Sequence, residues 1–332
     1  MRDVFATMSR WSLQETPFAL ARVVETWGSA PRRPGAALLV SAEGAVAGSV
    51  SGGCIESAVI QEAQACLRDG RMRFLSFGVS AETAWQVGLS CGGQISVLVQ
   101  PFDPVSEVGR AWMQGLASRE RVWVRTALDG SGQSVTSAAT EVVAGWDTAP
   151  ATPAQTGLFD GVFVHEIRAP ARLLLLGGAD ISVHLSAMAS RAGFEVLIVD
   201  PRAVFTDPER FDVAPAQILT AWPQEVLEEL KPDDDTFAVL LTHDPRIDDP
   251  ALRILLQADV AYVGALGGRK TREARNARLA AAGFSEDLIA RIHQPVGLAI
   301  GARDPAEIAA SILAELIAVR NGATGSRNGL HA

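Results

Sequence analysis

The sequence predicts an α/β protein in which an N-terminal α/β domain precedes an open, doubly wound parallel sheet. Four consecutive leucines at 173–176 have the continuous apolar pattern of a strand that is buried on both faces. A glycine-containing turn at 177–182 follows them, and from there strand and helix patterns alternate along the chain. Such alternation is typical of a parallel sheet that is covered by helices on both faces.

Composition limits the classes of function. The 332 residues suit about two domains. The net charge of −9 argues against a general nucleic-acid binder, which needs a basic face. No apolar run approaches the roughly 18 residues of a membrane span, and the first residues lack the pattern of an export signal. Because the three cysteines are an odd, sparse set in a chain without an export signal, we expect reduced thiols in a cytoplasmic protein. They form no CxxC pair, so their spacing is not that of a structural zinc site.

The N-terminal domain is expected at residues 1–102. Its apolar patterns predict helices at 3–16 and 55–69 and strands at 18–27, 36–40, 46–49, 73–77 and 94–100. A connecting region and linker are expected at 103–168. That region contains a predicted helix at 105–117, predicted strands at 122–127 and 161–167, and a flexible linker at 149–157.

The doubly wound domain is expected at residues 169–322, followed by a disordered tail at 323–332. Its predicted strands are 172–176, 195–199, 217–220, 237–242 and 260–263. Its predicted helices are one ending near residue 192 and others at 223–230, 250–257, 270–282 and 305–320.

The stretch GSVSGGCIE at residues 48–56 is the strongest candidate site in the N-terminal half. A small-residue turn that begins a helix exposes backbone N–H groups, which favour an anion and stabilise a thiolate. Ser51, Gly52, Gly53, Cys54 and Glu56 are therefore candidate ligand-binding residues. The alternative interpretation is a tight turn with an inert cysteine.

A second glycine-rich loop contains Cys91, Gly92 and Gly93. If Cys54 and Cys91 meet, their thiolates would suit a soft metal or a transferred sulfur, but two unrelated turns remain an alternative. The proline-stiffened loop at 28–35 offers Arg32 and Arg33. Arginine forks bind phosphate or carboxylate oxygens in pairs, although two solvated arginines would have the same pattern.

In the C-terminal half, Gly177 begins a turn after a buried strand, and Asp200 ends the next strand about 20 residues later. This layout is Rossmann-like, but the G-x-G-x-x-G pattern is degenerate, since Ala179 and Ser182 replace its second and third glycines. Dinucleotide binding through Gly177 and Asp200 therefore remains one alternative among others.

Two later loops follow buried strands at the edge of the sheet where ligands usually bind. His243 follows one of them and is a candidate acid–base group, phosphate ligand or metal ligand, or else a turn residue that caps the next helix. Gly267 and Arg269 lie in a basic, glycine-rich turn that begins a helix, which predicts an anion site or, alternatively, a flexible loop.

Several motifs follow one another in a fixed order. They occupy residues 28–35, 48–56, 77–93, 242–244, 262–267, 295–301 and 307–315. Taken together they resemble the xanthine dehydrogenase accessory family, also called the XdhC/CoxI family. One departure is that the family's usual Gly-Ala-Gly-His is Gly177-Gly-Ala-Asp180 here.

The resemblance implies an XdhC-type N-terminal α/β domain and a Rossmann-like C-terminal domain. It also implies a chaperone that binds molybdenum cofactor (molybdopterin, plain or as a dinucleotide), protects it and delivers it in sulfurated form to a xanthine dehydrogenase-type molybdenum hydroxylase. A cysteine desulfurase partner and a homodimer are further implications. Cys54 and Cys91 would lie near the metal, Arg32, Arg33 and the glycine turns near phosphate, and no residue would be catalytic.

Two enzymatic alternatives belong to a different class of function. One is a Rossmann-type NAD(P)-dependent oxidoreductase, and the other is a sulfur-transfer enzyme with a cysteine nucleophile.

Overall fold

Three sheets organise the chain in this computed structural model, which describes residues 1–28, 32–78, 93–137, 140–147 and 155–323. The chain divides into two compact units, Met1–Ala169 and Pro170–Ala332. The first unit contains two antiparallel sheets, and the second contains one parallel sheet. None of the helices in these ranges is long and apolar enough to cross a bilayer.

The first sheet has the strand order β3-β2-β1-β5-β4. Its strands are β1 (Phe18–Trp27), β2 (Ala37–Ser41), β3 (Val46–Gly48), β4 (Arg73–Phe77) and β5 (Gln94–Phe102). Helix α1 (Phe5–Leu13) precedes it, and helix α2 (Glu56–Asp69) packs on one face. Alternate side chains of β1 enter two separate cores, Phe18 and Leu20 on one face and Ala19 and Ala21 on the other. Burial on both faces explains the apolar run in this antiparallel strand.

Residues 103–168, expected to be a connecting region, contain a helix and a complete second sheet. Its elements are α3 (Glu107–Ala117), β6 (Val122–Ala127), β7 (Gln133–Thr136), β8 (Glu141–Ala144), β9 (Gly157–Phe159) and β10 (Val162–Ile167), with the strand order β8-β7-β6-β10-β9. Strands β7, β8 and β9 were not predicted, because each is only three or four residues long. Most of the expected linker at 149–157 lies outside the described residues.

The third sheet is parallel throughout, with the order β13-β12-β11-β14-β15-β16, and it confirms the predicted fold class. Its strands are β11 (Arg172–Leu176), β12 (Glu195–Val199), β13 (Gln217–Leu219), β14 (Thr236–Leu240), β15 (Tyr262–Ala265) and β16 (Ile292–His293). Its helices are α4 (Asp180–Arg191), α5 (Pro223–Leu230), α6 (Pro245–Gln257), α7 (Arg269–Ala281), α8 (Glu286–Ala290) and α9 (Pro305–Arg320). Leu173 and Leu175 enter one core, and Leu174 and Leu176 enter the other.

Helix α6 begins five residues earlier than the predicted start at Pro250. Pro245 occupies its first turn, and the Asp244 side chain accepts a hydrogen bond from the Arg246 N–H at 2.9 Å. Proline at the first position and aspartate at the cap both favour a helix start. Pro250 therefore lies inside the helix. Most of the predicted tail lies outside the described residues.

Candidate functional site

The turn between β3 and α2 is built around the carboxylate of Glu56. One carboxylate oxygen accepts hydrogen bonds from the Ser49 hydroxyl at 2.7 Å and from the Ser51 and Gly52 N–H groups at 2.9 and 3.0 Å. The other oxygen accepts the Gly53 N–H at 2.9 Å and the Ser51 hydroxyl. Three successive backbone N–H groups therefore converge on one anion, as the sequence predicted. That anion is the protein's own side chain.

The hydrogen bonds keep Glu56 ionised. Partial burial would raise the pKa of its carboxyl, but the hydroxyls of Ser51 and Ser49 and the converging N–H groups outweigh it and lower that pKa to about 2. A phosphate that used the same N–H groups would have to displace an ionised carboxylate. Binding of a ligand by Ser51, Gly52 and Gly53 therefore stays a prediction that requires Glu56 to move.

We expect Glu56→Gln to loosen this turn, because a glutamine side chain cannot accept all five hydrogen bonds. Hydrogen exchange at residues 51–53 should become faster, and the unfolding free energy should fall by roughly 1–2 kcal/mol. The depressed pKa means that the ionised carboxylate stabilises the fold fully above pH 4.5 and loses this effect as pH falls toward about 2. The variant should lack that acid-dependent loss. Glu43→Gln, at an exposed glutamate in the preceding turn, is the control, and unchanged exchange in Glu56→Gln would contradict the assignment.

Cys54 is a half-buried free thiol in the same turn. Gly53, the preceding residue, has φ +125°, and a Cβ built there would meet nothing within 4 Å, so there is open space beside Gly53. Cys91 and Gly92 lie outside the described residues, and Gly93 immediately precedes β5. Whether the two predicted thiols meet therefore stays a prediction.

The third cysteine, Cys66, is a core residue. It is fully buried in α2, and burial raises the pKa of its thiol to about 11.

Among the residues that the structure describes, no group of three or more His, Cys, Asp or Glu side chains could hold a metal ion.

The arginines of the 28–35 loop differ in availability. An Nη of Arg32 forms an ion pair with Asp3 at 2.9 Å. Arg33 is exposed, and its guanidinium forms no hydrogen bond or ion pair with any described residue. Arg33 is therefore the freer of the two for an anionic ligand.

Two buried basic residues of the first unit, Arg22 and His165, were not predicted. Arg22 lies in β1, where its guanidinium donates to Gln100 and Thr126 at 2.8 and 2.9 Å, and burial lowers its pKa to about 9. His165 is also buried, so its pKa lies well below the usual value, and a Cβ on Gly35 would approach its Nε2 to 2.6 Å. An arginine within an apolar strand was the only sequence signal.

In the second unit, the predicted dinucleotide turn is closed by its own contacts. The carboxylate of Asp200 accepts the Gly178 N–H at 3.0 Å and two guanidinium nitrogens of Arg202 at 2.8 and 2.9 Å. A Cβ on Gly178 would overlap the carbonyl oxygen of Phe205. Phe205 therefore crowds the turn. Asp200 also accepts the Arg202 backbone N–H at 2.9 Å, so each of its carboxylate oxygens already accepts two hydrogen bonds. Gly177, with φ +114°, packs against Thr242.

His243 follows β14 and is exposed, with a left-handed φ of +60°. Non-glycine residues in that region are uncommon and often mark functional sites. Beside it, Thr242 donates to the buried Asp248 at 2.5 Å, and Arg275 lies 3.8 Å from the same carboxylate. Burial raises the pKa of Asp248. This buried pair was not predicted. Asp244, next to His243, caps helix α6.

Gly267 and Arg269 lie where β15 leads into α7. Gly268 forms the helix cap without a side-chain hydrogen bond, while the exposed Arg269 is paired with Glu273 at 2.8 Å. Gly177, Asp200, His243 and Gly267 each follow the carboxyl end of a parallel strand. The fold therefore brings these predicted residues to one edge of the sheet, the usual ligand-binding edge.

A further buried cluster surrounds Glu315 of α9 and was also not predicted. Its carboxylate accepts the Tyr262 hydroxyl at 2.8 Å and the Gly297 N–H at 2.7 Å, and it pairs with His293 Nδ1 at 2.8 Å. A glutamate within an apolar helix was the signal that could have revealed it.

Each of the two units contains a range that matches a known protein family. The XdhC Rossmann domain matches residues 173–316, and the XdhC and CoxI family matches residues 11–78. A probable xanthine dehydrogenase subunit from Bacillus subtilis is 30% identical over 325 residues, covering 91% of this chain and 92% of that protein. The chain belongs to the XdhC and CoxI family. The predicted family resemblance is therefore confirmed.

Three further proteins are similar to this chain over most of its length. The molybdenum cofactor insertion chaperone PaoD from Escherichia coli is 29% identical over 301 residues, which is 91% of this chain and 83% of that protein. An uncharacterized Escherichia coli protein, YqeB, is 26% identical over 97% of this chain, which spans only 47% of YqeB's length. A crystal structure described as a xanthine dehydrogenase from Bacillus halodurans has a TM-score of 0.79 and 25% identity, with 96% of each chain covered.

Some of the predicted site residues fall within the matched ranges, and others do not. The XdhC and CoxI match includes Arg32, Arg33 and the Glu56 turn, and the XdhC Rossmann match includes His243 and Gly267. Residues 79–172, which contain Cys91, lie outside both matches.

Proposed function

We propose that this chain is a molybdenum cofactor chaperone that binds the cofactor, protects it and delivers it to a xanthine dehydrogenase-type molybdenum hydroxylase. The observation that carries the proposal is the similarity to a molybdenum cofactor insertion chaperone over 91% of the chain. The cofactor is cargo here, and it supplies a phosphate, a dithiolene and a soft-ligand metal.

The Cys54 thiol fits the metal end of this cargo. Thiolates are preferred ligands of soft metals, and Cys54 is half-buried with open space beside the adjacent Gly53. A cofactor that brings its own sulfur ligands needs few further ligands from the protein. We propose that Cys54, together with Cys91, contacts the metal or its sulfur. Glu56 shapes the turn that presents this thiol.

The phosphate end has two candidate sites in separate units. In the first unit, Arg33 is exposed and free of described partners, whereas Arg32 would have to leave Asp3. In the second unit, the uncapped start of α7 at Gly267 and the neighbouring Arg269 favour an anion. We propose two separate anion sites, one at Arg32 and Arg33 in the first unit and one at His243, Gly267 and Arg269 in the second.

The Rossmann-like turn supports an NAD(P)-dependent oxidoreductase less well. The ribose-binding role would fall to Asp200, whose carboxylate is engaged by Arg202 and by the Gly178 N–H. A bound dinucleotide would have to displace both the arginine and Phe205.

We also propose partners and a location for this chaperone. It delivers the cofactor in sulfurated form together with a cysteine desulfurase, it assembles as a homodimer, and it is located in the cytoplasm. The sparse cysteines and the net charge of −9 agree with a reducing compartment and with protein rather than nucleic-acid partners.

The test is retention of cofactor. We expect the purified protein to co-elute with molybdenum cofactor in gel filtration, detected by pterin fluorescence after oxidation, and to activate an apo-hydroxylase. Cys54→Ser should retain at least about tenfold less cofactor, because it removes a thiolate ligand. Cys66→Ala, at the buried core thiol, is the matched control and should retain cofactor normally. Cofactor that elutes apart from the wild-type protein would overturn the proposal.

A further inference from the structure

A groove of about 250 Å³ lies at one end of the first sheet, where β1 pairs with β5. It is lined by Glu25, Thr26, Trp27, Gln94 and Ser96. Pockets for drug-sized ligands occupy roughly 300–1,000 Å³. The groove therefore suits a single ring system better than a complete cofactor.

The strand register places four polar or aromatic side chains on one face of the sheet. Glu25 lies opposite Ser96, and Trp27 lies opposite Gln94. Because side chains alternate along a strand, Glu25 and Trp27 share a face, as do Gln94 and Ser96 across the pair. The neighbouring strand β4 extends this face, since the Ser76 and Ser96 hydroxyls lie 3.3 Å apart.

These side chains are available to a ligand. Trp27 is 72% exposed, and Glu25 and Gln94 are exposed as well. The Glu25 carboxylate forms no hydrogen bond or ion pair with any described residue. An exposed indole next to an unpaired carboxylate combines a stacking surface with a charged hydrogen-bond acceptor.

That combination matches one part of the cargo. A pterin ring is flat and aromatic, and its amino-oxo-pyrimidine edge presents an exocyclic amine and a ring N–H side by side. A carboxylate accepts such paired N–H donors in the bidentate way in which it accepts arginine. Aromatic side chains stack on heterocyclic rings of this kind.

We propose that the Glu25–Trp27–Gln94–Ser96 groove binds the pterin ring of the molybdenum cofactor, an inference that rests on the proposed chaperone function. Glu25 accepts the amine and the ring N–H, and the Trp27 indole packs on the ring face. Gln94 and Ser96 supply further hydrogen-bonding groups. Trp27 ends β1, from which the loop carrying Arg32 and Arg33 begins, so the candidate phosphate-binding arginines follow the ring site directly in the chain.

The experiment titrates the full-length protein into free 6-hydroxymethylpterin and follows pterin fluorescence anisotropy. We expect Trp27→Ala to weaken binding roughly 5- to 150-fold, the range for removal of one stacked aromatic. Glu25→Gln should weaken it about tenfold, because a charge-assisted hydrogen-bond acceptor is lost. Trp27→Phe should restore most of the affinity. Trp222→Ala, at another exposed tryptophan, is the matched control and should bind as the wild type does.

The outcomes separate this inference from the proposed function. If the complete cofactor is retained equally by the wild type, Trp27→Ala and Glu25→Gln, the groove assignment is overturned while the chaperone function stands. If the free pterin binds in a manner that depends on Trp27 and Glu25 but the complete cofactor is not retained, the groove stands and the chaperone function fails. Guanosine has the same amino-oxo-pyrimidine edge. Tighter binding of guanosine than of the pterin would overturn the pterin assignment in favour of a nucleobase.

Discussion

Replacing Glu315 by alanine should lower the free energy of unfolding of the second unit by about 3–5 kcal/mol, the usual loss when one member of a buried polar network is removed. The carboxylate is buried and accepts the Tyr262 hydroxyl and the Gly297 N–H while pairing with His293. Without it, three polar groups beneath α9 lose their partner. Nothing in an alanine side chain replaces these interactions.

This effect should depend on pH in a defined direction. Burial would raise the pKa of Glu315, but the hydrogen bonds from His293, Tyr262 and Gly297 lower it from 4.5 to about 2. The ionised carboxylate therefore stabilises the fold fully above pH 4.5 and loses this contribution as pH falls through about 2. The stability difference between the wild type and Glu315→Ala should shrink over that acidic range.

Urea unfolding of the full chain, followed by hydrogen exchange of peptides from residues 292–320, measures the effect of Glu315→Ala. Glu307→Ala in the first turn of the same helix is the control. Its carboxylate accepts only exposed cap N–H groups, so the loss should stay near 1 kcal/mol. Equal losses for the two variants would contradict the assigned role of Glu315.

Gly48→Ala should destabilise the first unit by roughly 3 kcal/mol, since it combines backbone strain with overpacking. Gly48 has φ +86°, a conformation that alanine adopts only with strain. A Cβ there would also overlap the Ala37 carbonyl oxygen and approach Val4 Cγ1 to 2.5 Å. Because β3 leads directly into the Glu56 turn, exchange at residues 51–53 should also become faster.

Gly70→Ala provides a control with similar backbone strain but no overlap. Gly70 ends α2 with φ +71°, and a Cβ there would meet nothing within 4 Å. We expect a loss of about 1 kcal/mol in this variant. Thermal unfolding of both variants isolates the overlap as the difference between them. Equal stability of Gly48→Ala and Gly70→Ala would contradict the predicted cost of the overlap. It would mean that β2 and β3 move apart freely to make room for the added Cβ.

Long elements with strong periodicity were predictable from the sequence. Strand β1, helix α5 and helix α9 have the predicted bounds, because proline, aspartate and glycine mark their ends or because apolar runs define their length. Several short elements were not predicted, although the three-residue strands β3 and β13 were. The two-residue strand β16 and the five-residue helix α8 are too brief to show a period, and the rest of the tertiary structure supports them.

The candidate site divides in the same way. The sequence indicated that the turn at 48–56 binds an anion, because small residues before a helix expose N–H groups. It could not show that Glu56 is that anion. The Glu56 carboxylate reaches the N–H groups of residues 51–53 only in the backbone conformation that the folded turn adopts. Likewise, Asp200 had the spacing of a ribose ligand, and only the folded chain shows Arg202 occupying it.

The sequence by itself determined the fold class, the family and the residue types at the site, because hydrophobic periodicity and ordered motifs are written directly in it. The tertiary structure decided which polar groups are already satisfied and which remain free. It paired Glu56 with its own turn, closed Asp200 with Arg202, and left Glu25 and Trp27 exposed on neighbouring positions of one sheet face. The physical reason is that hydrogen bonding and burial depend on the conformation and packing of the folded backbone, even between residues close in the chain, whereas periodicity depends only on the order of residue types.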